Sequence, residues 1–158
     1  MRIGLGQDSH HFEKTVYGLV FGGIHFSQHL KLKGNSDGDV LIHSLCNALS
    51  SAIGGESLST WSDDMCLKQG ITDSREYLKC IFKLVSQKFC INNISICVEA
   101  QVPRLTPEEK QLVKKSLAEI LNINPDQIGI TYTSGENLTS FGKKFGIQVF
   151  STVLLNEK

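Results

Sequence analysis

Apolar and polar positions alternate along the chain in two periods, and the switches between them mark the elements. Arg2 to Asp8 set Ile3 and Leu5 between small or polar neighbours, the two-residue period of a half-buried strand. A second short strand is expected around Leu19-Val20-Phe21, with Gly22-Gly23 as a bulge or turn before Ile24 and Phe26. Ser36-Asp37-Gly38-Asp39 then reads as a helix start, with Ser36 capping free N–H groups and Asp39 closing a shortened capping box. From about Val40 to Ile53, at roughly 100° per residue, Leu41, Leu45, Ala48, Leu49 and Ala52 form one apolar stripe. His43 falls nearly opposite that stripe, between Asp39 and Asn47 on a polar face.

Gly54 to Thr72 show no clean period and read mainly as a long loop, the kind that in compact domains is usually functional or mobile. Asp73 caps a second helix with Tyr77, Ile81, Leu84 and Val85 facing inward. Ile94, Ile96 and Val98 alternate as a strand does. Thr106-Pro107-Glu108-Glu109 begins a third helix, with a Thr cap, Pro at the first position and Glu completing the box. Leu112, Val113, Leu117, Ile120 and Leu121 carry its buried face, and Asn122 to Pro125 end it. Strands near Ile128–Thr133 and Phe145–Leu155 close the chain. The order β-β-α-α-β-α-β-β predicts an α/β fold, an α+β sandwich with helices on one sheet face.

Charge and composition narrow the function. The chain has 158 residues with 16 basic and 16 acidic side chains, so it lacks the basic excess that broad nucleic-acid or anionic-membrane binding needs. At 41% hydrophobic and 20% charged it reads as one folded domain, residues 1–158. No apolar run approaches the roughly 18–20 residues that span a bilayer, and the first residues show no signal-peptide pattern. Five cysteines, an odd number without a C-x-x-C pair, argue against a disulfide framework or cysteine zinc site and for a reducing cytoplasm.

Four strings carry candidate chemistry, although each alone also fits an ordinary turn or cap. In Asp8-Ser9-His10 at a strand end, residues two apart point the same way, so a carboxylate and an imidazole can converge. His43 from the next helix would complete a mixed N/O set of the kind zinc accepts. Neighbouring His11 should face away, and His25 and His29 read as surface or turn residues without partners. Asn35-Ser36-Asp37-Gly38-Asp39 offers N–H groups to a phosphate oxygen. Thr133-Ser134-Gly135-Glu136 suits a diphosphate held with a hard cation. Ala100-Gln101-Val102-Pro103-Arg104-Leu105 turns at Pro103 and can offer backbone groups to a planar ring.

The order of the strings is more specific than any one of them. I-G-x-G-x-D-x-H at Ile3 to His10 is followed by Ser36-Asp37-Gly38-Asp39-Val40-x-x-His43 and Asp73-Ser74-Arg75-Glu76. Ala100-Gln101-x-Pro103 and Thr133-Ser134-x-Glu136 come after. Together they resemble the 2-C-methyl-D-erythritol 2,4-cyclodiphosphate synthase family, over almost the whole chain. The resemblance implies a homotrimer of ferredoxin-like subunits with mixed sheets and active sites between neighbours. It implies conversion of 4-diphosphocytidyl-2-C-methyl-D-erythritol 2-phosphate to the cyclic diphosphate and CMP.

By the same resemblance, Asp8, His10 and His43 match the zinc ligands, and Glu136 matches the residue beside a second cation, Mg²⁺ or Mn²⁺. Ser134 stands where the family has a threonine that steadies the transition state, and Ala100 to Leu105 match the cytidine pocket. Ser9, Ser36, Thr133 and Gly135 fall within its substrate-binding strings. The chain departs from the pattern at Asn35, where a histidine is common, and at Asn47, where an aspartate could orient the zinc histidine. Glu56-Ser57-Leu58-Ser59 replaces G-D-I-G at the substrate's erythritol, and Lys143 replaces an arginine. Two rivals stay open on these residues: a zinc phosphohydrolase, and a non-catalytic trimer that binds nucleotide or isoprenoid diphosphate.

Overall fold

A computed structural model describes residues 1–158. Its sheet has five strands in the order β2-β1-β5-β3-β4. These are β1 (Arg2–Phe21), β2 (Ile24–Leu32), β3 (Phe89–Glu99), β4 (Ile128–Thr133) and β5 (Gly146–Glu157). The helices are α1 (Val40–Ala52), α2 (Ser59–Asp63), α3 (Ser74–Val85) and α4 (Pro107–Leu121). β3 and β4 run parallel and every other pair is antiparallel, so the sheet is mixed.

The two short strands expected at the N-terminus are one long strand. β1 pairs with β5 from Arg2 to His11 and then with β2 from Phe12 to Phe21, with register shifts between Phe12 and Leu19. The exposed, weakly patterned stretch Lys14 to Tyr17 hides this continuity from a hydrophobic period, because it is held by pairing and not by burial.

α1 lies on the sheet face of Gly4 and Gly6. A Cβ at Gly4 would collide with Ala48 O, and one at Gly6 with Ser44 O and Ala48 N, so helix and strand backbones meet where side chains are missing. α3 packs on the other side of α1. The helix is therefore buried nearly all round, His43 and Ser44 included. The apolar stripe is real, yet the side read as a polar face is interior too.

The cap of α1 is Asp39, not Ser36. Asp39 Oδ1 accepts the Ile42 N–H at 3.0 Å and the Gly22 N–H at 3.0 Å, while Oδ2 accepts the Gly23 N–H at 2.6 Å. Gly22 and Gly23 both take positive φ (62° and 77°), which lets the β1–β2 turn aim its N–H groups at this carboxylate.

Residues read as a long loop hold α2 and a π turn over Asp64–Lys68. α3 and α4 begin at their expected caps, Asp73 and Thr106, the latter with both capping-box bonds. Leu84 and Leu112, expected inward, are 53% and 50% exposed, because each helix has a narrower buried stripe than its apolar positions suggest. One cluster of 32 buried apolar residues lies between the sheet and its helices. The opposite sheet face leaves Ile3 and Leu5 exposed by 70% and 62%.

Candidate metal centre

Strand alternation turns Asp8 and His10 to one side of β1, and the packing of α1 across that strand brings His43 to meet them. Asp8 Oδ2 lies 3.0 Å from His10 Nε2 and 3.0 Å from His43 Nδ1, and the two ring nitrogens are 3.3 Å apart. Three ligands on a tetrahedral zinc at about 2.0–2.1 Å stand about 3.3 Å apart, so this spacing already fits one cation.

The outward ring nitrogens decide where the lone pairs point. His10 Nδ1 is 2.7 Å from the Lys33 carbonyl oxygen, which can only accept, so Nδ1 carries the proton and Nε2 of the neutral ring faces inward bare. His43 Nε2 is 2.9 Å from Ser74 Oγ and 3.3 Å from Ser36 Oγ, leaving Nδ1 toward Asp8. One carboxylate oxygen and two imidazole nitrogens thus converge with no protein cation among them, a donor set that suits zinc or a similar divalent ion. Where the inward nitrogens carry protons instead of a cation they donate to Asp8: burial raises its carboxyl, but these hydrogen bonds and the attraction of His10 and His43 outweigh it and hold the group at about 2. Burial lowers His10, and its bond to Asp8 overrides this and raises it above the ordinary 6.5.

A cavity of about 240 Å³ opens over the three ligands. Asn35 and Ser36 line one part of it, and Ser57, Leu58 and Ser59 another. Ser9 is exposed between Asp8 and His10 and does not line the cavity, as alternation requires. Asn47 does not reach the His43 ring. Its Nδ2 donates to Gln7 O at 3.2 Å, and its Oδ1 accepts the Leu58 N–H at 2.8 Å, which fastens the segment bearing Ser57 to α1.

Ser62, Asp63, Cys66 and Tyr77 also line the cavity. Sequence reasoning missed them because the stretch around the first three shows no period and Tyr77 reads as core. His29 is part-buried within β2 and not a surface or turn residue: its ring packs on Phe26, and its Nε2 has no hydrogen-bond partner, with Glu109 Oε1 3.7 Å away. His11 does face away, exposed on β1.

The other candidate strings sit elsewhere. Val102, Pro103 and Arg104 line a separate cavity of about 300 Å³ with Phe12 and Tyr17, and the Val102–Pro103 peptide is cis. Ala100 and Leu105 are buried at the two ends of that loop, and Gln101 Oε1 is buried without a partner. Thr133 ends β4. Ser134 Oγ donates to Glu136 Oε1 at 2.7 Å within a tight turn where Gly135 and Glu136 both have positive φ. Lys143 is exposed in the turn before β5. None of these residues belongs to the cavity over Asp8, His10 and His43.

Comparison with known proteins agrees with this geometry. The YgbB family profile matches residues 1–156. A 2-C-methyl-D-erythritol 2,4-cyclodiphosphate synthase of Chlamydia muridarum is 39% identical over 158 residues, covering 99% of this chain and 88% of the relative. Among solved structures, the bifunctional IspDF of Campylobacter jejuni superposes with a TM-score of 0.90 at 34% identity over 99% of this chain. This chain spans only 42% of that longer protein. IspF of Plasmodium falciparum, solved as a CDP complex, gives a TM-score of 0.86 at 28% identity, covering 99% and 96% of the two chains. The matched segment runs from the first residue nearly to the last and includes both strings that supply the converging ligands, so the chain belongs to the YgbB family.

Proposed function

We propose that this protein converts 4-diphosphocytidyl-2-C-methyl-D-erythritol 2-phosphate to 2-C-methyl-D-erythritol 2,4-cyclodiphosphate and CMP. It would act as a phosphorus–oxygen lyase of the non-mevalonate isoprenoid route. The observation that carries the reading is the convergence of Asp8, His10 and His43 under a polar cavity, in a chain whose relatives bear that activity's name.

The substrate's 2-phosphate oxygen attacks its own β-phosphorus. One P–O bond forms as the bond to the α-phosphate oxygen breaks, and CMP leaves with the electron pair. Because both reactants arrive on one molecule, the protein has mainly to fold that molecule into line and offset crowded negative charge. A phosphate dianion is already a nucleophile, so no side chain need act as a strong base. Zn²⁺ at Asp8, His10 and His43, and Mg²⁺ or Mn²⁺ beside Glu136, supply Lewis-acid charge to the diphosphate when bound.

The remaining residues orient. The Asn35 amide and Ser36 hydroxyl, on the cavity wall, donate to phosphate oxygens, with no added positive charge from Asn35. Ser57, Leu58 and Ser59 meet the erythritol portion. Ala100, Gln101, Val102, Pro103, Arg104 and Leu105 hold the cytidine, while Thr133, Ser134 and Gly135 present hydroxyl and N–H donors to the diphosphate. Lys143 adds a point charge where a guanidinium fork would bind two oxygens.

A homotrimer of ferredoxin-like subunits brings these halves together, with the whole chain serving as a single domain. In one chain the 100–105 loop lines a different cavity from the metal ligands, which supports a site shared between copies. The uncovered sheet face bearing Ile3, Leu5 and Phe150 supports the same assembly, since exposed apolar faces of this kind are usually buried on association. Five free thiols suit a reducing cytoplasm, and no helix is long and apolar enough to cross a membrane.

Purified protein given the substrate should release CMP, stop on chelation and resume with added Zn²⁺. His43→Ala should lose zinc and lower turnover by about 100-fold or more. Phosphorus NMR should show a cyclic product. Linear product would make the protein a zinc phosphohydrolase, and nucleotide binding without CMP release would make it a binding module.

A further inference from the structure

We propose that Ser74, backed by Asp37, is a positioning residue that holds the His43 imidazole in the tautomer whose Nδ1 lone pair faces the cation. The proposal rests on the metal reading of Asp8, His10 and His43 given above.

The bonds run in one direction. Ser74 is fully buried, and its Oγ–H donates to Asp37 Oδ1 at 2.5 Å. A carboxylate only accepts, so the hydroxyl's single proton is committed there, and Ser74 Oγ has only lone pairs left for its other neighbour. That neighbour is His43 Nε2 at 2.9 Å, which must therefore carry the proton of the neutral ring. Nδ1 is left to serve the cation, on the side where the ligands converge and 3.0 Å from Asp8 Oδ2. A second hydroxyl, Ser36 Oγ, lies farther from Nε2 at 3.3 Å.

Both members of the relay are held by backbone. Asp37 Oδ2 accepts the Ser74 N–H at 2.9 Å, Oδ1 accepts the Asp39 N–H at 3.1 Å, and the Asp37 N–H donates to Thr72 O at 2.9 Å. The carboxylate thereby ties the loop before α1 to the first residue of α3. His43 sits on α1 and its orienting hydroxyl on α3, so the packing of two helices sets the ring's angle. His10 is oriented by the Lys33 carbonyl instead, a contact no side-chain substitution removes. Partners of this kind, one bond out from a metal ligand, typically change metal affinity by about 10–100-fold when lost.

Two measurements test the relay. Long-range ¹H–¹⁵N NMR of the metal-free wild-type protein near neutral pH should show His43 Nε2 protonated, and an Nε2 that carries no proton overturns the proposal. Competition with a chromogenic chelator should show Zn²⁺ bound about 10–100-fold more weakly by Ser74→Ala, with affinity recovered in Ser74→Thr. Circular dichroism checks that each variant is folded. A folded Ser74→Ala with wild-type Zn²⁺ affinity overturns the proposal. Wild-type protein that shows the expected tautomer yet binds no Zn²⁺ overturns the metal reading instead of the relay.

Discussion

Asp39 shows how one residue can serve two elements. Burial pushes its carboxyl above the usual range and nearby Asp37 adds to this, while N–H groups of Ile42, Gly23 and Gly22 pull it down. Asp39→Ala would leave those three donors unpaired, one of them at a helix N-terminus. Stability should fall by about 3 kcal/mol, read by urea denaturation, and a loss under about 1 kcal/mol would contradict the dual role. Asp73, the cap of α3, differs in sign. The Arg75 side chain hydrogen-bonds it and lowers its pKa below 3.8, with exposure limiting the effect of burial. A lowered carboxylate contributes stability above its unfolded pKa and loses that contribution as pH falls through the folded one. The penalty of Asp73→Asn should therefore be larger near about pH 6 than near about pH 3, and an unchanged urea midpoint difference would refute this. Ser36 and Asp39 are equally good caps by residue type, so sequence could not choose between them. The β1–β2 turn chose, because only Asp39 meets its two N–H groups.

Among the elements, α1 is the one whose surroundings were least legible. Its stripe of leucines and alanines reads correctly as a buried face, but a helix period cannot reveal that α3 covers the opposite side. Leu84 and Leu112 mark the reverse error, apolar residues at helical spacing that remain outside. What seats α1 is the missing side chain at Gly6. Gly6→Ala would drive a methyl group into backbone atoms of Ser44 and Ala48, which cannot move without lifting the helix. Destabilisation of about 3 kcal/mol or more is expected, together with weaker zinc binding, since His43 travels with α1. Thermal melting and zinc titration would read both, and a stable Gly6→Ala protein with unchanged affinity would show that the close approach is dispensable. Capped helices read best from sequence: Asp73 and Thr106 start α3 and α4 as their side-chain chemistry requires.

At the scale of the whole molecule, the metal ligands and the 100–105 loop occupy different cavities of one chain, and the proposed trimer joins them. Leu5→Asp tests this, because Leu5 is exposed in the single chain and lies on the uncovered sheet face. Sedimentation should show monomers with unchanged circular dichroism and lost CMP release, whereas an intact, active trimer would place the shared site elsewhere. The sequence by itself determined the local matters: helix starts, strand periods, and the pairing of Asp8 with His10 on one side of a strand. Those follow from capping chemistry and from side-chain alternation, which act over a few residues. The sequence named His43, 33 residues from His10, as the third member, and the tertiary structure supplied the helix-on-strand packing that brings it to them. Only the tertiary structure decided that Ser74, and not Asn47, holds the ring, and that an apparently polar helix face is interior. Such contacts depend on how closely sheet and helices pack, a consequence of shape and of two glycines that no period along the chain records.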